Sequence, residues 1–114
     1  MFNYYEERKA QGCFKVVCDK FVTSDAGTGC VHCSPGYGAD DYAVCLRYKM
    51  IDPKDPGVSV DERGCFLPKV SDFKGLYIKD ADKLIVKDLR GRNRLLKESQ
   101  VKHSYPYCYR GGTP

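Results

Sequence analysis

The residues most able to do chemistry are concentrated in one run, Gly27-Thr-Gly-Cys-Val-His-Cys-Ser-Pro-Gly-Tyr-Gly-Ala-Asp-Asp-Tyr42. It offers a Cys30-x-x-Cys33 pair enclosing His32, two adjacent carboxylates, Asp40 and Asp41, and four glycines. A phosphate-cradling loop would need a lysine after its glycines, and no lysine occurs between residues 21 and 48. The glycine spacing of a dinucleotide fingerprint is also missing. Zinc needs about four convergent ligands, commonly two Cys-x-x-Cys pairs, and no second pair exists. On an extended backbone His32 and Cys33 would point to opposite faces, so they would not share an ion or act as a Cys-His couple. A thioredoxin-type pair would open a helix, whereas this one runs into Ser34-Pro35. What is left is a helix start carrying two carboxylates, Asp40 and Asp41, either of which could cap it, behind a glycine-rich loop that presents a histidine.

The elements that must position these groups follow from pattern. Phe2 to Gln11 predicts a short helix stopped by Gly12. Phe14 to Val22 is β-branched and aromatic and predicts a strand; Cys30 to His32 predicts a second, short one. A helix is expected from a cap at Asp40 or Asp41 to about Lys49, with Tyr42, Val44, Cys45 and Tyr48 facing inward. Asp52-Pro-Lys-Asp-Pro-Gly57 is a loop. Val58–Val60 and Cys65–Leu67, around Asp61-Glu-Arg-Gly64, predict a hairpin. Asp80 caps a second expected helix, with apolar residues at 81, 84, 85 and 89 and a stop at Gly91. Arg94 to His103 is an expected final strand. The mixed order predicts an α+β class.

Composition narrows the setting. The 114 residues suffice for one domain. No apolar window approaches ~18 residues, so no membrane partner is expected. Seven cysteines, an odd number, fit free and mostly buried thiols in a reducing cytoplasm better than a disulfide scaffold. The net charge of +4 permits an RNA partner without requiring one. Much of the excess lies between residues 80 and 102, where Lys or Arg at 83, 87, 90, 92, 94, 97 and 102 faces acids at 80, 82, 88 and 98. That is either a solvated helix face or a surface meeting a phosphate backbone.

Gly27-Thr-Gly-x-Val-His32, Pro35 and Gly38-x-x-Asp41-Tyr42 together resemble the signature of the editing domain of isoleucyl-tRNA synthetase. His32 tilts the resemblance to the isoleucyl branch over the valyl and leucyl ones. Phe73-x-Gly-x-Tyr-x-Lys-Asp-Ala-Asp-Lys83 is similar to the approach to that domain's second helix. His103-Ser-Tyr-Pro-Tyr-Cys-Tyr-Arg-x-x-Thr-Pro114 is similar to its exit strand, and the spacing looks like the eukaryotic cytosolic type. Departures are Cys33 and Ser34, where the family usually has a polar residue and then Ala, and Tyr109 in place of Trp.

The resemblance implies a barrel-like β core decorated by short helices, of which residues 1–114 would be the C-terminal part. The threonine-rich wall that the family carries upstream would be missing, leaving the chain alone inactive. The implied reaction is hydrolysis of valine misattached to the 3′ end of tRNA(Ile). This family is itself the standard illustration that one methylene permits only about 150-fold discrimination. On the family's pattern Asp41 holds the substrate's α-ammonium. His32 lines the side-chain pocket and excludes isoleucine by bulk, with a catalytic-base role as its alternative. Gly27, Thr28, Gly29, Tyr37 and Gly38 complete the substrate site, and Asp40 is left as the helix cap. No cofactor or metal is implied for editing; ATP and Mg would belong to the synthetic core. The remainder of the synthetase chain would be a second partner. The rival reading is a small standalone RNA-binding or zinc-stabilised module without catalytic activity.

Overall fold

The structure, a computed structural model, describes residues 2–25, 27–100 and 109–112. Its regular elements are a 3₁₀ helix, Glu6–Lys9, and two α-helices, α1 (Ala39–Arg47) and α2 (Ile78–Gly91). Among the described residues there is no β-strand, only three isolated bridges: Asp52 with Asp55, Val60 with Phe66, and Cys65 with Tyr77. The expected α+β class with a barrel-like core is therefore not what these residues form. Two compact units are distinguished, residues 1–82 and residues 83–114.

The reason is clear at residues 14–18. β-branched composition favours a strand only where a neighbouring strand supplies hydrogen bonds and a surface to pack on. Here the backbone is irregular rather than laddered, Phe14 turns to φ 61°, and Val16 is 99% exposed. Cys30–His32 likewise forms no ladder. The expected hairpin is reduced to the single Val60–Phe66 bridge around a tight turn, where Asp61 Oδ1 accepts from the Arg63 and Cys65 amides, both at 2.9 Å. The helix expected over 2–11 shrinks to one 3₁₀ turn, tied down by Arg8 to Asp55 at 2.6 Å and by a Glu7–Lys69 ion pair. The final strand is not formed over 94–100, and the rest of it lies outside the described residues.

Helix α1 appears where expected, but its cap differs. Gly38 is the N-cap residue and makes no side-chain cap; Asp40 and Asp41 lie inside the first turn, where carboxylates complement the helix dipole. Of the four expected inward residues, Val44 and Cys45 are buried with Met50 to make a small core. Tyr42 is instead half-buried and Tyr48 exposed, and they donate their hydroxyls to the carbonyls of Pro53 and Cys18. Packed against this core are Val17, Cys33 and Ile51. The first unit's other buried residues are Val70, Phe73 and Ala81, with Phe2 edge-on to Phe73.

Helix α2 starts two residues before the expected cap. Its first turn is held by the backbone, the Ile78 amide donating to the Gly64 carbonyl at 3.0 Å, and Asp80 lies within it. It stops at Gly91, but the stop signal is Asn93, in the left-handed region at φ 55°. The Asn93 amide donates to Arg90 and the Arg94 amide to Leu89, the paired bonds of a Schellman cap.

Candidate functional site

The site begins at a turn. Gly27 and Gly29 both sit at φ 75°, a conformation L-residues rarely adopt, and between them the Thr28 hydroxyl accepts from the Cys30 amide at 3.2 Å. From Cys30 the chain passes His32, which is exposed, and Cys33, which turns inward against Val44, Cys45 and Met50. Residues 32 and 33 thus diverge, as their spacing requires. His32 Nδ1 is 3.3 Å from the Ser34 hydroxyl.

Ser34 joins loop to helix. Its carbonyl accepts from the Tyr37 and Gly38 amides at 2.9 and 3.2 Å, and its amide donates to Asp41 Oδ2 at 3.0 Å. The Asp41 side chain therefore folds back over Gly38. A Cβ at Gly38 would come within 2.8 Å of Oδ2, so the fold-back requires glycine there. Burial and the adjacent Asp41 carboxylate push the Cys33 thiol up, keeping it protonated as a donor to Asp41 rather than a nucleophile. A carboxylate can accept about four hydrogen bonds, so capacity is left on Asp41 for an ammonium. Tyr37 is fastened at its tip, its hydroxyl 2.6 Å from the Ser59 hydroxyl and accepting from the Ser59 amide at 2.8 Å.

Beside this loop lies a cavity of about 750 Å³ within the first unit. Gly29, His32 and Tyr37 line it, together with Cys33 and Ser34. Gly27, Thr28, Gly38 and Asp41 do not line it; Asp41 is set one residue back, bonded to the Ser34 that does. Sequence reasoning missed two features of this cavity. Five cysteines, at 13, 18, 30, 33 and 45, border it, although they are far apart in the chain. Tyr5 also borders it, with a buried hydroxyl that has no hydrogen-bond partner among the described residues and a ring within 5.6 Å of the Arg8 guanidinium and 5.1 Å of the Lys69 ammonium. No spacing rule would have found either.

All six described cysteines are free, but only Cys45 is buried; Cys18 and Cys30 are exposed, which corrects the expectation of mostly buried thiols. Among the described residues no group of three or more His, Cys, Asp or Glu could hold a metal ion, and no helix is long and apolar enough to cross a membrane.

No profile of a known protein family matches the chain. Individual proteins do. The isoleucine–tRNA ligase of Tetrahymena thermophila is 54% identical over 114 residues, covering all of this chain and 10% of that protein. The cytoplasmic isoleucine–tRNA ligase of Saccharomyces cerevisiae is 46% identical over 116 residues, covering all of this chain and 11% of its own length. The isoleucine–tRNA ligase of Bdellovibrio bacteriovorus is 39% identical over 116 residues, again covering all of this chain and 10% of that protein. End-to-end similarity at this level places the sequence among the aminoacyl-tRNA ligases. Within that class the chain belongs to the isoleucine–tRNA ligase family, and it spans about a tenth of the length of the relatives it matches.

Proposed function

We propose that residues 1–114 are part of the editing domain of an isoleucine–tRNA ligase and take part in hydrolysing valine misattached to tRNA(Ile). The observation that carries this reading is the Asp41 carboxylate, oriented by the Ser34 amide across Gly38, next to a cavity lined by His32. Every aminoacyl ester carries an α-ammonium, and a fixed carboxylate beside a pocket suits its capture. His32, Gly29 and Tyr37 would shape the pocket, with His32 excluding the larger isoleucyl side chain. Gly27 and Thr28 would set the turn that presents them, and Gly38 would make room for Asp41. Esters are reactive, so positioning the carbonyl for attack by water supplies much of the catalysis, and the proposed step uses no cofactor. Isoleucine attachment with ATP and Mg, the rest of the ligase chain as partner, and a cytoplasmic location complete the proposal.

The test uses a chimera in which this chain replaces the matching stretch of the yeast ligase. Truncating one side of a desolvated charge pair costs ~2–5 kcal/mol, or roughly thirty- to several-thousand-fold. Asp41→Ala should lower valyl-tRNA(Ile) hydrolysis by about that factor and leave isoleucine activation unchanged. Asp40→Ala, at an exposed first-turn position, should spare both. Equal losses from both substitutions would make Asp41 a structural residue and overturn the reading.

A further inference from the structure

The second unit carries a charge pattern that its own packing does not explain. Along α2, Lys83, Lys87 and Arg90 recur at intervals of four and three, which places them within an arc of roughly 60° and about 10 Å of helix. All three are exposed. Like charges four apart on a helix repel, so the Lys83–Lys87 pair works against the helix that bears it. The acids nearby do not neutralise it. Asp88 is paired with Arg92 at 2.8 Å, and Glu98 reaches only Arg90, at 3.3 Å. Asp80 and Asp82 pair with neither Lys83 nor Lys87 among the described residues, and Arg94 makes no ion pair there either. Arg94 continues the stripe because the Schellman cap at Asn93 binds its amide to Leu89, holding it beside the last turn.

We propose that Lys83, Lys87, Arg90 and Arg94 form a docking surface for the phosphate backbone of RNA. The inference rests on the reading of this chain as part of a tRNA ligase, which identifies the polyanion as the tRNA itself. A stripe of cations on a capped helix, in which only Arg90 has a carboxylate partner among the described residues, gains by neutralising phosphates and releasing their counterions. Each contact steepens the salt dependence of binding, by about 0.9 in log–log slope for a duplex and about 0.7 for a single strand.

The experiment measures binding of this chain to tRNA(Ile) transcript by filter retention between about 50 and 200 mM salt, the range over which such contacts weaken steeply. The double substitution Lys83→Gln, Lys87→Gln should flatten the slope by about 1.4–1.8, and Arg94→Gln, outside the helix, by about half that. Lys74→Gln, an exposed cation in the first unit, should leave it unchanged. Separate duplex and single-stranded oligoribonucleotides tell the acceptor stem from the 3′ end by which slope changes. A slope unaltered by both the double and the Arg94 substitutions would overturn the proposal. So would equal displacement by polyglutamate, since that would reveal mere charge. Helicity measured on each variant separates lost docking from lost fold, and Arg94→Gln keeps the test valid if the double variant unwinds. These results do not depend on Asp41, whose role is read from hydrolysis.

Discussion

Helices α1 and α2 end in the same motif and use it differently. Each closes with a residue in the left-handed region, Lys49 at φ 54° and Asn93 at φ 55°, followed by an amide that reaches back five residues. In α1 that next residue is Met50, whose amide donates to Cys45 at 2.9 Å and whose side chain is buried against it. In α2 it is Arg94, exposed and charged. One cap thus fastens a helix into a hydrophobic core, while the other holds a cation at the surface. The helix starts differ in the same sense. The first turn of α1 carries a carboxylate held by the preceding loop, whereas at the start of α2 the Ile78 amide is bound by the Gly64 carbonyl. A rigidly placed charge suits recognition of one small group; an exposed row of charges suits a long polyanion.

That contrast can be broken most forcefully at Gly38. Alanine there would collide with Asp41 Oδ2 and displace the carboxylate from the Ser34 amide. In the chimeric ligase, hydrolysis of valyl-tRNA(Ile) should fall at least ten-fold, while the helix loses only about 1 kcal/mol from an altered N-cap. Undiminished hydrolysis would show that the fold-back of Asp41 has no bearing on the reaction.

A smaller effect separates the two cap-following residues. Met50→Ala removes a buried side chain and should lower unfolding free energy by about 2–3 kcal/mol, measured by urea denaturation. Arg94→Ala, at an exposed position, should change it by less than about 0.5 kcal/mol. Similar costs from the two would mean that both caps are anchored alike. The smallest effect lies in the left-handed residues. Lys49→Gly relieves a conformation that a side chain disfavours and should raise stability by about 1 kcal/mol. Asn93→Gly should gain only a few tenths, because asparagine already tolerates that region. Thermal melts of the pair decide it, and a larger gain at residue 93 would contradict the account.

Membership of the ligase family was legible in the residues from Gly27 to Tyr42, because a signature is a local string and needs no partner. Both helices were legible for the same kind of reason: their apolar period is local, and Val44, Cys45 and Ala81 are buried as it implies. The turn at Asp61–Gly64 was readable from its Asp and Gly. The strands were not. Residues 14–22 have strand composition, yet a strand exists only through hydrogen bonds to another segment, and no local pattern reports whether that segment is there. The caps were misplaced because Asp41 could serve the helix or be drawn off by a competing donor, and only the fold brought the Ser34 amide to it. Likewise the cavity, with its five cysteines and the buried Tyr5 hydroxyl, arises from residues distant in the chain. Local periodicity and capping chemistry are written into neighbouring residues, whereas proximity across the chain depends on how the elements pack.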